Sequence, residues 1–348
     1  MGRAPQIMST AVESNDSPTF SSAAPRPELS VVVPVYEEVD NLDLLLERLV
    51  PALDRCVTSF EILFVDDGSR DATLDALKQL NRADPRIRAL SLSRNFGKEI
   101  AIAAGLDHSH GDAVVIMDAD LQHPPEFIEA FVEHWRAGYK NIYGLRSDRA
   151  QESALRRHLT QRFYQIFATF GETPLPEGAG DFRLLDRQAV EALRSMGERA
   201  RFSKGLYAWI GFKSIGVPIR IDPRARGGSK FSYRKLTRFA LDGLMSFSTV
   251  PLRVWTYIGT LISLLALLMT IYFVVDTFTQ RTDVPGFASL IVSIMFFAGV
   301  QLMSLGIIGE YIGRIFAEVK GRPLYLVAEQ IGDRDEAQGR ERRIRSPF

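Results

Sequence analysis

Two aspartates separated by a single alanine, Asp118 and Asp120, are the residues of this chain best suited to chemistry. They follow the run Ala113–Met117, which is short, apolar and rich in β-branched residues, and which predicts a buried parallel strand. Carboxylates after such a strand lie where open α/β sheets bind ligands, and an unpaired buried carboxylate is costly. A hard divalent cation, Mg²⁺ or Mn²⁺, is the expected partner, with Gln122 as a further oxygen ligand. An ordinary strand end with an Asp-containing turn is the alternative interpretation.

Three more predicted strands also end in polar residues. These strands cover residues 30–35, 60–65 and 87–92, and helices are predicted between them. Alternating strands and helices imply right-handed βαβ units and an α/β fold with a mostly parallel sheet, whose strand ends share one edge. The polar groups therefore converge on one crevice, which favours a binding site over isolated turns. The residues that follow these strands are Tyr36-Glu37-Glu38, Asp66-Asp67 and Arg94-Asn95.

Apolar periodicity predicts the helices that connect the strands. The first follows Asn41, a candidate N-cap, the second runs from about residue 72 to 82, and the third is Ala-rich over residues 98–109. A fourth helix begins near Phe127, after a Pro-Pro pair, and a short fifth strand follows at residues 141–144. No glycine-rich dinucleotide or P-loop fingerprint opens these helices, which argues against a dinucleotide oxidoreductase and a P-loop enzyme.

The next region is less regular. Residues 155–170 form a basic amphipathic pattern, which predicts a helix that either packs on the sheet or lies at a membrane surface. A Gly/Pro loop over residues 171–180 then leads to Asp181-Phe182-Arg183.

A basic loop at residues 224–231 contains two adjacent glycines, so that Arg226 and Lys230 can close over a phosphate. A solvated basic loop is the alternative. Because the loop precedes two apolar segments that can span a membrane, a phosphate-binding role is favoured.

The two apolar segments, Val254–Val275 and Phe287–Ile308, each have about the 20 residues that a bilayer span needs. Basic residues flank both segments, whereas the loop between them has one, Arg281. The positive-inside rule therefore predicts that both chain ends and the catalytic domain lie in the cytoplasm. The predicted organisation is an α/β domain at 29–231, an interfacial amphipathic helix at 232–250, a transmembrane hairpin at 251–312 and a cytoplasmic tail at 313–348, mobile from residue 329.

Composition sets further limits. The chain has 348 residues, enough for a domain with an appendage, and its 42 basic and 42 acidic residues give no argument for nucleic acid. The single cysteine, Cys56, cannot form an internal disulfide and fits a small apolar residue near a helix end in a reducing compartment. No apolar segment opens the chain, so no cleaved signal is expected, and residues 1–28, rich in Ser, Pro and Ala, predict a disordered tail.

Five motifs resemble those of the polyprenyl-phosphate glycosyltransferases, which are family-2 enzymes of the GT-A fold and include dolichyl-phosphate mannose synthase. The resemblance covers about residues 29–327. Around the membrane segments, residues 249–259 and 309–314 are most similar to the bacterial bactoprenol glucosyltransferase branch. Glu37 departs from the pattern, since the family usually has Asn there. The motifs are Pro34-Val-Tyr-Glu-Glu38, Asp66-Asp-Gly-Ser69, Ser93-Arg-Asn-Phe-Gly-Lys98, Asp118-Ala-Asp-Leu-Gln-His-Pro-Pro-Glu126 and Arg226-Gly-Gly-Ser-Lys230.

The resemblance implies inverting, metal-dependent transfer of a sugar from a nucleotide-sugar to undecaprenyl phosphate, at the cytoplasmic face of the bacterial inner membrane. UDP-glucose is the first choice of donor; a modified arabinose, an N-acetylhexosamine, a uronic acid or mannose stay open as the sugar. The product would be a lipid-linked donor for modification of cell-envelope glycans such as lipopolysaccharide. The resemblance also implies a homo-oligomer, a tetramer.

The resemblance further implies roles for individual residues. Asp120 and Asp181 are expected to be catalytic, with Asp181 as a positioning residue or a weak base. A phosphate monoester is largely dianionic at pH 7, because its second pKa is about 6, so the acceptor can attack without a strong base. The implied sets are Pro34, Tyr36, Glu38, Asp66, Asp67, Arg94, Lys98 and Asp118 for the nucleotide-sugar, Asp118, Asp120 and Gln122 for the metal, and Arg146, Arg183, Arg226 and Lys230 for the lipid phosphate.

Two other functions are alternatives to transfer of a sugar to a polyprenyl phosphate. A processive polysaccharide synthase would use the same fold, but it needs a longer membrane channel and usually a Gln-x-x-Arg-Trp motif, which the sequence lacks. An inactive membrane scaffold that binds a partner is the rival from another class, and the Asp118/Asp120 pair and the Arg226–Lys230 loop argue against it.

Overall fold

The structure is a computed structural model that describes residues 26–146, 178–198, 203–220 and 286–332, together with parts of 255–275. Within these residues eight strands form one sheet in the order β7-β5-β6-β4-β1-β2-β3-β8. The strands are β1 (Leu29–Val35), β2 (Phe60–Asp66), β3 (Ile87–Leu92), β4 (Ala113–Ile116), β5 (Asn141–Arg146), β6 (Ala179–Asp186), β7 (Ser214–Ile219) and β8 (Val327–Ile331). The helices are α1 (Val39–Cys56), α2 (Thr73–Ala83), α3 (Lys98–His108), α4 (Phe127–Arg136), α5 (Arg187–Ser195), α6 (Ser203–Trp209) and α7 (Phe287–Val319).

The centre of the sheet is parallel and buried on both faces. β1 pairs in parallel with β2 on one side and β4 on the other, and β2 pairs in parallel with β3. Apolar side chains of α1, α2 and α4 cover one face, among them Leu45, Leu77 and Phe131. Side chains of α3, α5 and α6 cover the other, including Ile102 and Val190. Covering on both faces explains why these strands are mostly apolar along their length and do not alternate between apolar and polar residues.

The predicted α/β architecture is confirmed, with four of the seven strand pairings parallel. The helix and strand predictions up to residue 146 agree with the structure to within a few residues. The predicted N-cap Asn41 is wrong. α1 begins at Val39, and Asn41 lies in its first turn, where its amide group donates to the Glu38 carboxylate.

The sheet extends further than the sequence predicted. β6 occupies the Asp181-Phe182-Arg183 region and runs antiparallel to β4, with Arg183 opposite Ile116. β5 pairs with β6 antiparallel and with β7 in parallel. Neither β6 nor β7 was predicted, because β6 contains a glycine near its start and β7 contains a glycine and a proline, and these residues weaken the strand pattern.

The predicted mobile tail from residue 329 is also corrected, because residues 327–331 form β8, which pairs antiparallel with the edge of β3. The pairing starts where the amide of Ser93 donates to the carbonyl of Leu326, at 2.8 Å. An open strand edge exposes unpaired backbone groups, so a returning segment of modest β-propensity is sufficient to cover it. The disordered tail predicted for residues 1–28 is corrected at its last residue, because the Glu28 amide donates to the carbonyl of Ser59 at 3.1 Å.

One described helix is long and apolar enough to cross a membrane, judged by length and composition over Phe296–Val319. It is part of α7, whose 33 residues reach beyond the predicted end at residue 312. A shorter apolar helical segment, Tyr257–Met269, lies in the first predicted span. The second predicted span thus coincides with a helix, while much of the first lies outside the described residues. The predicted basic helix at 155–170, the loop at 224–231 and the interfacial helix at 232–250 lie outside them too.

Candidate active site

The candidate active site lies at the carboxyl ends of β1 and β4, where the direction of strand order reverses. Helices α1 and α3, on opposite faces of the sheet, diverge at this point and leave a crevice. β6 contributes to the same edge because it runs antiparallel to β4, so that its first residues lie beside the residues that follow β4. Asp118 and Asp181, 63 positions apart in the sequence, are brought together in this way.

Lys98 joins the two aspartates. Its Nζ lies 2.7 Å from one carboxylate oxygen of Asp118 and 2.9 Å from the other, and it donates to Asp181 Oδ2 at 3.0 Å. Lys98 is the first residue of α3, and Gly97 precedes it with a φ of 100° that favours glycine. Lys98, which the resemblance assigns to the nucleotide-sugar, is therefore in contact with Asp118 of the expected metal set and with Asp181, the second catalytic candidate.

The charges in this cluster keep Asp181 and Lys98 in their ionised forms. Burial of the Asp181 carboxyl favours its neutral form, but the charges of Lys98, Lys204 and Arg183 and the hydrogen bond from Lys98 together lower the pKa of Asp181 below its usual range. Burial opposes the charge on Lys98 too, and the two aspartates together raise the pKa of Lys98 above its usual value. Asp181 is consequently ionised at neutral pH, and Lys98 stays a cation.

The loop that carries Asp120 and Gln122 is held in an unusual conformation. The Gln122 amide donates to Asp120 Oδ1 at 3.1 Å, and the residue between them, Leu121, has a φ of 57°. A left-handed conformation costs a residue with a side chain about 1–2 kcal/mol, and burial of the Leu121 side chain in the core offsets that cost. Sequence reasoning missed Leu121, since nothing in its type signals a positive φ.

The donor set fits a hard divalent cation. Asp118, Asp120 and Gln122 offer carboxylate and amide oxygens, which Mg²⁺ and Mn²⁺ prefer. In the described part of the chain no group of three His, Cys, Asp or Glu side chains is arranged to hold a metal ion. A cation here would accordingly need oxygens from a phosphate-bearing ligand as well, which is how Mg²⁺ is usually bound in phosphate-handling enzymes.

Asp66 and Asp67, predicted to bind the nucleotide-sugar, are almost fully buried, and their carboxylates accept hydrogen bonds from within the protein. Asp66 accepts from the Ser69 amide at 2.9 Å and from the Ser91 hydroxyl at 2.8 Å. Asp67 accepts from the amides of residues 96 and 97 at 2.7 and 2.8 Å. Both aspartates thus hold the loops around the site in place, and their predicted contact with a nucleotide stays a prediction.

Arg94 lies on the loop that Asp67 holds. Its guanidinium stacks over the ring of Phe96 at 3.9 Å and also donates to the Asn95 carbonyl at 3.1 Å. The side chain is exposed, so it can reach an anionic ligand.

The end of β1 places Pro34, Tyr36 and Glu38 partly exposed at the crevice. Between them Glu37 has a φ of 55°, and its amide donates to the Ser69 hydroxyl at 2.9 Å. Asparagine adopts a left-handed conformation more readily than other non-glycine residues. The departure from the family pattern at position 37 therefore falls at a backbone position that suits Asn, and Glu accommodates it with some strain.

The four residues predicted for the lipid phosphate have different outcomes. Arg183 is buried, with its guanidinium over the ring of Tyr207 at 3.6 Å and a hydrogen bond to the Gly180 carbonyl at 2.7 Å, and its predicted contact with the acceptor stays a prediction. Arg146 ends β5 at the edge of the sheet where Asp118 lies. Arg226 and Lys230 lie outside the described residues.

Sequence reasoning missed two residues next to this cluster. Glu99 accepts a hydrogen bond from Ser203, and burial followed by the nearby Asp181 charge raises its pKa. His123 stacks on Phe182 with ring centroids 5.3 Å apart, and burial lowers its pKa. Neither was identified, because the residues that bury them lie on β6 and α6, elements that the sequence did not predict.

Comparisons with known proteins identify the family of the chain. Residues 30–194 match the model of Glycosyl transferase family 2, and residues 250–315 match that of the GtrB C-terminal hairpin. An uncharacterized glycosyltransferase of Synechocystis sp. is 48% identical over 305 residues, which is 88% of this chain and 96% of the relative. The bactoprenol glucosyl transferase of Shigella phage SfII is 41% identical over 300 residues, 86% of this chain and 97% of the relative.

Among solved structures, this chain is similar to a Pyrobaculum calidifontis mannosyltransferase in complex with GDP-Man and Mn²⁺. The identity is 17% and the TM-score 0.44, with 84% of this chain and 88% of that chain covered.

Proposed function

Because the chain belongs to glycosyltransferase family 2, we propose that it transfers a sugar from a nucleotide-sugar to a polyprenyl phosphate, with inversion at the anomeric carbon. Relatives that share about 41% of its residues over nearly their whole length are named bactoprenol glucosyl transferase, which supports this acceptor class. The same names make glucose the first choice of sugar and UDP-glucose the first choice of donor.

The observation that carries the proposal is the cluster of Asp118, Lys98 and Asp181 beside the Asp120 loop, at the switch point of the sheet. It offers acidic oxygens for a cation and a basic group for a diphosphate within one crevice. An inactive scaffold has no need of three charges in this crevice, since burying charges costs desolvation energy that their mutual pairing often does not repay.

We propose that Asp118, Asp120 and Gln122 hold a divalent cation together with the donor diphosphate. When bound, the cation would neutralise negative charge that grows on the leaving nucleoside diphosphate. Tyr36, Glu38 and Arg94 line the crevice on the β1 and β3 side and are proposed to contact the nucleotide. Asp66 and Asp67 contribute by holding the loops that carry these residues.

Asp181 is proposed to position the acceptor and Lys98 rather than to act as a base. An efficient general base has a pKa near the working pH, whereas the Lys98 ammonium lowers the pKa of Asp181 well below it. A dianionic phosphate needs no deprotonation before it attacks, so this weak basicity does not hinder the reaction. Arg146, Arg226 and Lys230 are the proposed partners of the acceptor phosphate. The charge of the buried Arg183 helps to keep Asp181 ionised.

The topology supports a membrane hairpin. β8 follows α7 and joins the same sheet as β1. A chain that enters a bilayer after β7 must therefore return to the same side of that bilayer. If α7 crosses a bilayer, an even number of crossings requires another between β7 and α7. The apolar segment Tyr257–Met269 supports this second crossing, and the basic residues outside the hairpin support a cytoplasmic catalytic domain.

The proposed reaction can be tested with the purified full-length enzyme, undecaprenyl phosphate, Mn²⁺ and a panel of nucleotide-sugars, with the lipid product analysed by mass. The expected product carries one hexose from UDP-glucose. Asp120→Asn is expected to lower turnover at least about 100-fold, because a neutral amide cannot replace the anionic ligand. Asp112→Asn, which alters an exposed aspartate before β4, is the matched control and keeps activity.

Excess EDTA is expected to stop the wild type. Full activity in EDTA would contradict the metal site, and absence of any glycosylated lipid across the panel would contradict the proposed acceptor.

A further inference from the structure

The ammonium of Lys98 occupies both oxygens of Asp118, at 2.7 and 2.9 Å, in addition to its contact with Asp181. Asp118 is also one of the three proposed metal ligands, with Asp120 and Gln122. A carboxylate that binds a lysine with both oxygens has fewer lone pairs, and less net negative charge, to offer a divalent cation. Lys98 and a cation therefore compete for the same side chain.

We propose that Lys98 is an internal counter-ion that holds Asp118 in the donor-free enzyme and releases it when a cation arrives together with the nucleoside diphosphate. This inference rests on the proposed metal site. It assigns Lys98 a positioning role in which one ammonium serves two anionic partners in turn: the aspartates before donor binding, and Asp181 with the donor diphosphate afterwards.

The need for such a counter-ion follows from the fold. The antiparallel pairing of β6 with β4 brings Asp181 next to Asp118, and two ionised carboxylates at close range repel each other. Lys98 removes this repulsion when no cation is bound. The side chains of Asp118 and Asp181 are 26% and 27% exposed, so solvent alone screens them incompletely.

The structure also lets Lys98 change partners without moving its helix. The loop before it is fixed, because Asp67 binds the amides of Phe96 and Gly97 at 2.7 and 2.8 Å. The lysine stem is flexible, and its side chain is 41% exposed. The ammonium can therefore turn from Asp118 towards a diphosphate in the crevice while the backbone of α3 stays in place.

A consequence is that cation and nucleotide bind cooperatively. A cation alone must displace Lys98 from Asp118 and leave the ammonium with a single partner. A cation that arrives with a diphosphate gives the ammonium a new anionic partner, so the displacement costs less. Mn²⁺ alone should bind weakly, and nucleoside diphosphate should strengthen its binding.

The test measures Mn²⁺ affinity by electron paramagnetic resonance on full-length enzyme in detergent, with and without UDP. Lys98→Met keeps most of the stem and removes the charge. We expect it to bind Mn²⁺ without UDP about tenfold more tightly than the wild type, a change within the range usual for coupled sites, and to show less strengthening by UDP. Lys98→Arg should stay close to the wild type, since it retains the cation.

The matched control is Lys204→Met, because Lys204 also lowers the pKa of Asp181 but does not bind Asp118 in the described structure. It should change Mn²⁺ affinity less than Lys98→Met does. A thermal melt covers the case of poor folding: Mn²⁺ should raise the Tm of Lys98→Met more than that of the wild type, because the variant has unopposed carboxylates.

Unchanged or weaker Mn²⁺ binding by Lys98→Met, while UDP still strengthens binding to the wild type, would overturn the exchange of partners and leave the metal site standing. Failure of every variant to bind Mn²⁺ even with UDP would overturn the metal site and this inference with it.

Discussion

Asp66 and Asp67 serve the site by holding its loops. Their carboxylates accept hydrogen bonds from the segments after β2 and β3, and this brings the two loops close together. Gly68 lies where the loops meet: its φ is 70°, and a Cβ built there would be 2.5 Å from the carbonyl carbon of Arg94. No larger side chain fits at this distance, so glycine is required both by conformation and by space.

Gly68→Ala is expected to lower the free energy of unfolding by about 3 kcal/mol and to weaken donor binding, because the loop with Arg94 must move. The control is Gly138→Ala, since Gly138 has a φ of 91° but nothing within 4 Å of its built Cβ. It should cost about 1 kcal/mol, from the backbone conformation alone, and leave donor affinity unchanged. Denaturant unfolding and calorimetry with UDP measure the two effects, and equal losses in both variants would contradict the close approach at Gly68.

At the level of secondary-structure elements, a buried charge network ties the amino-terminal halves of three strands together, away from the site. Glu61 on β2 accepts from the Ser30 hydroxyl on β1 at 2.6 Å and pairs with Arg88 on β3 at 2.7 Å. It also accepts from the His110 amide, in the connection to β4, at 2.7 Å. Burial favours the neutral form of Glu61, but its hydrogen bonds with His110 and Ser30 and the Arg88 charge together lower its pKa to about 2.

Glu61→Gln is expected to reduce stability at pH 7 by about 3 kcal/mol, because Arg88 loses the charge that compensates its own. The folded-state pKa of Glu61 lies below the value of 4.5 for the free side chain, so the ionised group stabilises the fold above pH 4.5. That contribution is lost as the pH falls towards about 2. The stability difference between wild type and variant should therefore shrink below pH 4.5.

Thermal melts across this pH range measure the difference. Glu126→Gln is the control, since its ion pair with Arg48 is largely exposed and should contribute less than about 1 kcal/mol. A stability difference at Glu61 that stays constant down to pH 3 would contradict the role given to its ionised form.

At the scale of the whole chain, the segment after α7 returns to the sheet of the catalytic domain. β8 covers the edge of β3, and the Tyr325 hydroxyl just before it donates to Asp107 on α3 at 2.9 Å. Leu302 and Phe316 of α7 are exposed, as are most described apolar side chains of that helix. Because this apolar helix surface is exposed among the described residues, it fits a lipid environment, and the return strand would link the proposed membrane hairpin to the catalytic domain.

A reporter fused at the carboxyl terminus is expected to be active only in the cytoplasm, because β8 belongs to the same sheet as β1. A reporter inserted near Thr282, between the two apolar segments, should report the opposite side and serves as the control. Paired reporters of opposite compartment preference, such as a phosphatase and a fluorescent protein, measure both positions. A periplasmic signal at the carboxyl terminus would contradict the even number of crossings.

The amino-acid sequence was sufficient to predict the parallel centre of the sheet and the sheet edge that holds the candidate site. A strand such as Ala113–Ile116 is a continuous apolar run followed by acidic residues, and that signal is local enough to be read along the chain. The Asp118-Ala-Asp120 motif was identifiable for the same reason, since its carboxylates directly follow a buried strand. Family-specific motifs added the expected substrates and most of the candidate residues.

The contacts that those residues make with one another depend on the tertiary structure. The pairing of Asp118 with Asp181 through Lys98, the burial of Arg183 under Tyr207 and the strand at Val327–Ile331 all depend on β6 and β8. A short segment forms a strand at these positions because a neighbouring strand is available to pair with it, more than because of its own residues. Short strands that contain glycine or mixed polarity therefore carry little signal in the sequence. A charge likewise acquires its function from neighbours far away in sequence, and the packing of the sheet determines which neighbours those are.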